Sequence, residues 1–431
     1  MEALYRDARI IIERVIQANM PQQAVRNALK THKFAGNIYL AVIGKAAWTM
    51  AHAAREELGG RIEHGVVITK YDHSLGEIPG MEIIEAGHPI SDENTIAGAQ
   101  KAVEMARGLG AGDELLFLIS GGGSALFEQP LPGLTLADIV EVNAQLLASG
   151  ADIVEINMIR KRLSGVKAGR FAQLCEPAKV FTVVLSDVLG DRLDSIASGP
   201  AAPDMSTADE VMAVVQKYRL TLSDTVKDYL GMETPKSLGN VETVITGSVR
   251  TLCSSAAEIA AGLGYTPHVL CSEMNCEARE AGRLISSMAK QIAGGAGFAS
   301  GGEAGGANDT SGAFRRPCAV ILGGETVVNL KGKGKGGRNQ ELALAAAEGI
   351  AGIDNLLVFS VGSDGTDGPT DAAGGIVDGA TAKSLREKGI KISDVLDNND
   401  AYTALAAVDG LIKTGPTGTN VNDVSVILCS R

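Results

Sequence analysis

The sequence is poor in aromatic residues and in cysteine, and each shortage narrows the class of protein. Phe, Trp and Tyr make up 4% of the 431 residues, so small aliphatic side chains have to fill the core, as they do where helices pack on sheets. The six cysteines are scattered and lack the paired spacing of a zinc site. We therefore expect reduced thiols that lie mostly in the core, and no zinc.

Long apolar runs and an excess of positive charge are also missing. No uninterrupted apolar run could span a bilayer, and residues 1–20 lack the apolar block of a signal peptide. The net charge of −12 argues against a general nucleic-acid or anionic-membrane surface. We expect a cytoplasmic protein, a monomer or homodimer, that binds small molecules and neither nucleic acid nor membrane. Any bound anion must then meet locally clustered cations.

The length of the chain favours two domains. Short apolar runs are each followed by a loop and a helical pattern, which predicts α/β architecture: a Rossmann-like three-layer α/β/α domain over residues 1–236 and a second α/β domain over residues 237–431. The polar segment 232–240 marks the boundary, so that ETVITG opens the second series of strands and helices. The Gly-, Ala- and Ser-rich segment from Gly294 to Gly312 is interpreted as a connection without chemistry.

Residues 323–341, GGETVVNLKGKGKGGRNQE, combine glycines, three lysines and an arginine at the start of a predicted helix. Freed N–H groups, cations and a helix N-terminus suit an anion that carries phosphates. A solvated basic turn is the alternative. The candidate binding residues here are Gly324, Glu325, Gly334, Gly336, Gly337 and Asn339, and Arg338 is the candidate for chemistry.

Two earlier loops follow predicted strands. Residues 38–43 run into Gly44, Lys45 and a helix, which places Lys45 at the carboxyl edge of a parallel sheet, where open α/β proteins bind ligands. A strand over residues 114–119 ends in SGGGS, whose glycines allow close backbone approach to a phosphate or a carboxylate. This loop lacks the lysine and the length of a Walker A motif. Its candidate binding residues are Ser120, Gly121, Gly122, Gly123 and Ser124.

Cations and carboxylates supply the remaining candidates. Residues 152–167 have helical periodicity, and every charge on one side is positive, which implies a facing anion or carboxylate. The candidates on that side are Asn157, Arg160, Lys161 and Lys167. Asp187 and Asp191 follow a predicted strand, where they could hold Mg²⁺ or accept a hydroxyl proton, although turn formation is the alternative. Asp364, Thr366 and Asp367 belong to a second acidic loop, whose spacing does not fit an EF-hand. His88 is interpreted as a structural loop residue, because nothing nearby in sequence supplies a nucleophile.

Eight ordered motifs carry a resemblance that spans nearly the whole chain. They are GKAA, SGGGSAL, NMIRKRLSGVKAGR, LSDVLGDRLDSIASGP, GGETVV, GKGGRNQE, GSDGTDGPTDAAGG and TGPTGTNVND. Together they resemble the glycerate 2-kinase family with a C-terminal MOFRL domain, here about residues 315–428. The resemblance implies ATP-dependent phosphorylation of D-glycerate to 2-phosphoglycerate in a cleft between two α/β domains. It also implies that Lys45 and Arg338 are active-site cations.

The residues and the resemblance support one hypothesis and leave two alternatives. Lys45, Arg338, the glycine loops and Mg²⁺ would neutralise charge during phosphoryl transfer, and Arg160, Lys161 or Lys167 would bind the anionic substrate. Either Asp187 or Asp191 would handle metal or the hydroxyl proton. The first alternative is an NAD(P)H-dependent hydroxypyruvate reductase. The argument against it is that no strand is followed by GxGxxG with an acidic residue about twenty positions further on. The second is a nucleotide- or sugar-phosphate-binding regulator without turnover.

Overall fold

The computed structural model describes residues 1–294 and 314–430. They form two compact units. The N-terminal unit is Pro21–Thr246, and the C-terminal unit is Met1–Met20 with Gly247–Arg431. The predicted connection from Gly294 to Gly312 lies, apart from Gly294, outside the described residues. No described helix is long and apolar enough to cross a membrane.

Helices and strands alternate through most of the described chain. In order they are α1 Glu2–Ala18, α2 Pro21–Thr31, β1 Asn37–Ile43, α3 Ala47–Leu58, β2 Ile62–Lys70, β3 Met81–Ala86, α4 Glu93–Arg107, β4 Asp113–Ile119, α5 Gly123–Leu126, α6 Leu136–Ser149, α7 Ile153–Leu163, α8 Arg170–Leu174, β5 Lys179–Leu185, α9 Ala208–Lys217, α10 Asp224–Leu230, β6 Val241–Gly247, α11 Val249–Gly262, β7 Thr266–Met274, α12 Ala278–Ala293, β8 Cys318–Gly324, α13 Arg338–Gly349, β9 Leu356–Gly362, β10 Gly374–Asp378, α14 Thr381–Glu387, α15 Ile392–Asp397, α16 Ala401–Ala406, β11 Leu411–Ile412 and β12 Asp423–Cys429. Short 3₁₀ turns occur at Gly59–Arg61, Leu189–Asp191 and Ile196–Ser198.

The N-terminal unit is built on a six-stranded sheet in the order β3-β2-β1-β4-β5-β6. The pairs β3–β2, β2–β1, β1–β4 and β4–β5 are parallel. Successive β4 residues such as Leu116 and Phe117 are both buried, as expected for a parallel strand covered on both faces. The predicted Rossmann-like arrangement is confirmed.

The C-terminal unit has a six-stranded mixed sheet in the order β11-β10-β9-β12-β8-β7. Only β7 and β8 pair in parallel; the other neighbours are antiparallel. α12 and α13 pack together over a core that includes Ile285, Leu342 and Val358. The α/β class was predicted, but the antiparallel pairing was not. The prediction assumed that strands and helices alternate, as parallel pairing favours, whereas β10 follows β9, and β12 follows β11, without an intervening helix.

The units divide the chain differently from the predicted domains at two places. The opening helix α1 packs on α11 and β9 of the C-terminal unit, where Tyr265 donates a hydrogen bond to Asp7 (2.9 Å). β6, expected to open the second series, is instead the edge strand of the first sheet. The N–H of Val180 on β5 donates to the Asn240 carbonyl (2.8 Å) immediately before β6. The polar segment 232–240 is therefore a connection within the N-terminal unit.

A buried ionic network anchors α7 in the N-terminal unit. The fully buried Arg162 bonds Asp204 (Nη1–Oδ2, 3.2 Å), which lies 3.5 Å from Lys161 Nζ and accepts from Thr234 Oγ1 at 2.9 Å. Burial raises the pKa of Asp204, but Lys161 and the hydrogen bonds from Ser206 and Thr234 outweigh it, so the net pKa is lowered. Asp204 is therefore an ionised carboxylate that compensates two buried cations.

We expect Asp204→Asn to destabilise the N-terminal unit by about 3 kcal/mol or more, because two buried cations would lose their shared carboxylate. Urea unfolding of the full chain, followed by circular dichroism, measures the change. Asp224→Asn is the matched control, since the Asp224 side chain is 97% exposed and its loss should cost less than about 0.5 kcal/mol. Equal midpoints for the two variants would contradict the structural role of Asp204.

Candidate functional site

The strand order of the N-terminal sheet reverses between β1 and β4. Open parallel sheets bind ligands at such a reversal, outside the carboxyl ends of the strands. The loops that follow these two strands carry Lys45 and SGGGS, and the Lys45 N–H donates to the Gly121 carbonyl (2.9 Å). The Ala46 N–H also donates to Ser120 Oγ (3.1 Å). The predicted position of Lys45 at the carboxyl edge is confirmed, whereas its role stays a prediction.

Side chains crowd closely around the SGGGS loop. A Cβ at Gly122 would lie 3.0 Å from His88 Nε2 and 3.2 Å from Lys45 Cγ, and the backbone there is left-handed (φ 86°). A Cβ at Gly121 would collide with the carboxylate of Asp187. The glycines therefore admit a cation, an imidazole and a carboxylate to the same short stretch of backbone.

His88 is a candidate that the sequence reasoning set aside. Burial, followed by the charges of Lys45 and Lys70, lowers its pKa, so the imidazole is neutral near pH 7. The order of the chain could have indicated that His88 lies near the site. His88 closely follows β3, a parallel strand that ends at the same edge of the sheet as β1 and β4. The absence of a nearby nucleophile in sequence was therefore a poor guide to its surroundings.

A chain of hydroxyl and amide groups connects the SGGGS loop to α7. Ser124 Oγ lies 3.0 Å from Ser198 Oγ, and Ser198 Oγ donates to Asn157 Oδ1 at 3.3 Å. Ser198 and its neighbour Ala197 are both left-handed (φ 60° and 51°), a conformation that costs non-glycine residues energy and is concentrated at functional sites. Ser198 is not among the candidate site residues predicted from the sequence. The feature that could have indicated it is the ASGP sequence, residues 197–200, which follows the acidic loop with Asp187 and Asp191.

The predicted helix over residues 152–167 is shorter in the structure. α7 ends at Leu163, and Ser164 is extended and forms a bridge with Pro130. The expectation of facing carboxylates is confirmed for the two lysines: Lys161 Nζ lies 3.0 Å from Asp194, and the fully buried Lys167 pairs with Glu128. The positive side of this segment is thus largely compensated within the protein.

The aspartates expected to bind metal occupy the loop after β5. Asp187 lies against Gly121, and Asp191 ends a 3₁₀ turn with a left-handed backbone (φ 52°). Within residues 1–294 and 314–430, no group of three or more His, Cys, Asp or Glu side chains could hold a metal ion. A Mg²⁺ site here would depend on one or two carboxylates and on substrate oxygens, which is a usual arrangement for this ion.

In the C-terminal unit, Arg338 lies at the start of α13 as predicted. Its guanidinium forms a bidentate pair with Asp423 (Nε–Oδ2 2.6 Å, Nη2–Oδ1 3.0 Å) and contacts Glu325 (Nη1–Oε1, 3.0 Å). Burial raises the pKa of Asp423 to about 6, and Arg338 opposes that shift. Two carboxylates, at the end of β8 and the start of β12, therefore fix the orientation of the arginine.

The glycine-lysine loop over residues 331–337 does not present a row of free amides. The N–H groups of Lys331 and Gly332 donate to Asn399 Oδ1 at 2.7 and 2.9 Å. The next three N–H groups, through Lys335, donate to Asn398 and Asp400. The expectation that freed N–H groups here face an anion is thus wrong for residues 331–335. Their glycines instead allow close packing on residues 398–400.

The remaining predicted binding residues near α13 have local structural partners. The Asp367 carboxylate accepts from the N–H groups of Asn339 (3.1 Å) and Gln340 (2.9 Å), so it caps the helix. Gly337 lies directly against Asp367, and Gly336 against Gly368. Asp364 accepts from the Thr366 N–H (3.0 Å) within its own turn. The N-terminus of α13 is therefore occupied by a carboxylate of the protein itself.

Sequence comparison defines the class of protein. The family described as "Domain of unknown function (DUF4147)" matches residues 7–231, and the MOFRL family matches residues 318–423, inside the region predicted for it. The chain is thus a two-domain α/β protein that joins these two family regions. It belongs to the glycerate kinase family, as the following relatives show.

A D-glycerate 2-kinase of Thermotoga maritima is 48% identical over 99% of this chain and 98% of its own length. A glycerate 2-kinase of Pyrococcus horikoshii is 38% identical over 97% of this chain and 96% of its own length. A protein of Agrobacterium vitis described as a putative hydroxypyruvate reductase is 40% identical over 89% of this chain and 97% of its own length. The crystal structure of a glycerate kinase from Thermotoga maritima superposes with a TM-score of 0.92 and covers all of both chains.

We expect Gly122→Ala to destabilise the N-terminal unit more than Gly133→Ala does. Both glycines are left-handed (φ 86° and 83°), so both variants carry a strain of about 1–2 kcal/mol. A Cβ at Gly122 must also displace His88 and Lys45, whereas at Gly133 the nearest atom is 3.8 Å away. Urea unfolding should therefore show an additional loss of about 1–3 kcal/mol for Gly122→Ala. Equal losses would mean that the SGGGS loop is loosely packed.

Proposed function

We propose that the protein is an ATP-dependent kinase that phosphorylates D-glycerate to 2-phosphoglycerate. The observation that carries the proposal is the contact between the Lys45 segment and the SGGGS loop where the strand order of a parallel sheet reverses. Relatives named D-glycerate 2-kinase and glycerate 2-kinase, each matched over nearly its whole length, support it. ATP, Mg²⁺ and the position of the phosphorylated carbon are parts of the proposal.

Phosphoryl transfer needs positioning and charge neutralisation more than covalent chemistry. In the proposal, Lys45 offsets negative charge on the transferring phosphoryl group, and the SGGGS loop binds phosphate oxygens. Asp187, beside Gly121, would hold Mg²⁺, which when bound supplies positive charge to the phosphate oxygens. Asp191 would orient the metal or accept the hydroxyl proton. Neutral His88 is available as a hydrogen-bonding partner at the same loop.

Arg338 is proposed as the active-site cation of the C-terminal unit. Its pairing with Asp423 and Glu325 offsets its charge, so its contribution would come from the two N–H groups that these carboxylates leave free. Unlike Lys161 and Lys167, its side chain is 33% exposed, and the pairing holds the planar donor in a fixed orientation. Gly324, Glu325 and Asn339 would then serve mainly to place Arg338 and α13. The active site between the two domains that the resemblance implies stays a prediction, as do the cytoplasmic location, the oligomeric state and the absence of a nucleic-acid partner.

One relative favours a reductase as the second candidate, since it is described as a putative hydroxypyruvate reductase. Nicotinamide-binding folds use a GxGxxG turn directly after a strand to approach the pyrophosphate. Residues 332–337 have this spacing, but seven residues separate them from the end of β8, and the N–H groups of residues 332–335 donate to residues 398–400 and not to a ligand. A non-catalytic regulator is the third candidate. It would have little reason to place Asp187 beside a phosphate-binding loop.

One assay of the purified full chain separates the three candidates. The protein is incubated with D-glycerate and Mg·ATP, and separately with hydroxypyruvate and NADH. We expect ADP formation that depends on glycerate, and NMR of the product should show the phosphate on carbon 2. NADH oxidation with hydroxypyruvate would instead identify a reductase, and no turnover in either mixture would favour the regulator.

We expect Lys45→Met to lower kcat at least 100-fold while leaving the urea midpoint close to that of the wild type, because a charge stabilising the transition state would be lost.

For the other proposed active-site cation, Arg338→Lys is preferable to Arg338→Ala, since alanine would leave Asp423 buried without a cation. The lysine variant should also lose activity, because it keeps the charge but not the planar fork. A wild-type rate in either folded variant would remove that residue from the mechanism.

The pKa of Asp423 predicts an acid limit to activity. Above pH about 6 the carboxylate is ionised and accepts two Arg338 N–H groups. Below that pH, protonation of Asp423 removes one of these acceptors and leaves Glu325 as the remaining ionised partner, so the orientation of the arginine is less well fixed. We expect kcat/KM for D-glycerate to fall as the pH drops through about 6. Asp423→Asn should have lower activity throughout and should lack this limb of the profile. An unchanged acid limb in Asp423→Asn would assign it to another group.

A further inference from the structure

The structure distinguishes the three cations that the sequence could not separate. Lys161 is 3% exposed and is held by Asp194 and Asp204 at 3.0 and 3.5 Å. Lys167 is fully buried, pairs with Glu128, and donates to the Phe127 carbonyl (3.2 Å). Both lysines are therefore committed to carboxylate or carbonyl oxygens of the protein, and neither has a charge to spare for a substrate.

Arg160 differs from these lysines. Among the described residues no carboxylate lies within ion-pair distance of its guanidinium, and its buried Nε has no hydrogen-bond partner. Burial lowers the pKa of Arg160 while the charge of Glu128 opposes the shift, yet arginine stays protonated in proteins. A largely buried cation that lacks its own counter-ion is unfavourable unless an anion is supplied from outside the fold.

Arg160 does not have Glu128 to itself. That carboxylate pairs directly with Lys167 and acts on Arg160 only from beyond ion-pair distance, so Arg160 lacks a full counter-charge. The planar guanidinium prefers a carboxylate bound by two parallel hydrogen bonds.

Arg160 lies on the side of α7 that is connected to the SGGGS loop by hydrogen bonds. It lies one helical turn after Asn157 on α7, hence on the same side of the helix. Asn157 is joined through Ser198 to Ser124, the last residue of that loop. In glycerate the carboxylate is attached to the carbon that bears the 2-hydroxyl, so an anchored carboxylate would place that hydroxyl next to the anchor.

We propose that Arg160 binds the carboxylate of glycerate and thereby selects a 2-hydroxy acid over an uncharged polyol or ester. The inference rests on the proposed kinase function and deepens it. Lys161 and Lys167 then have structural roles: they hold α7 and the segment that follows it, and Arg160 is the one cation of the three that meets substrate.

The test compares Arg160→Gln with the wild type and with Arg107→Gln, a matched control on an exposed residue at the end of α4. Initial rates are measured with D-glycerate and with its methyl ester, which has the same hydroxyls but no charge. We expect Arg160→Gln to raise the KM for D-glycerate about 30- to 100-fold and to leave the KM for ATP within about twofold. The preference of the wild type for the acid over the ester should be largely lost.

Arg160→Lys guards against a variant that does not fold, since it retains the buried charge. It should keep part of the acid preference but show a KM for D-glycerate raised about tenfold, because an ammonium cannot form the paired hydrogen bonds. An unchanged KM and an unchanged acid preference in folded Arg160→Gln would overturn the proposal. So would an increase confined to the KM for ATP. A wild-type protein without glycerate-dependent ADP formation would instead refute the proposed function itself.

Discussion

The reversal of strand order between β1 and β4 is the constraint on which the N-terminal unit depends. Neighbouring parallel strands send their following segments to opposite faces of the sheet at such a point, so a crevice opens between the first turns of the two loops. Gly44, Lys45 and SGGGS occupy those turns, and β3 and β5 bring His88 and Asp187 to the same edge. Residues that are far apart in sequence are assembled by topology, without long loops.

Compensation of buried charge is the second organising feature. In each unit, cations are held by carboxylates from distant segments: Arg162 and Lys161 by Asp204, Lys167 by Glu128, and Arg338 by Asp423. Such pairs add little net stability, but the removal of one partner is costly, so they fix position strongly. Arg160 is significant because its neighbours in the same segment, Lys161, Arg162 and Lys167, each have a carboxylate partner and Arg160 has none among the described residues.

The sequence predicted those parts of the fold and site that depend on local order. Strand, glycine, lysine and helix around Lys45 follow one another directly, and their arrangement at the sheet edge was predicted from that order alone. The amides of the glycine-lysine loop could not be assigned, because their acceptors, Asn398, Asn399 and Asp400, lie more than sixty residues later in the chain. Arg160 and Lys161 are adjacent and chemically alike, so only the carboxylates brought near by folding separate them.

The placement of α1 has a consequence for biosynthesis. The helix precedes the N-terminal unit in the chain, yet its apolar face, with Leu4, Ile11 and Val15, is buried against elements of the C-terminal unit, which follow that unit. The N-terminal unit is continuous in sequence and can complete its core while the ribosome is still adding residues, whereas α1 must wait until α11 and β9 have been made. Its exposed apolar stripe is a natural target for chaperones during that interval, and a separately expressed C-terminal unit without α1 would leave the matching surface of α11 and β9 uncovered.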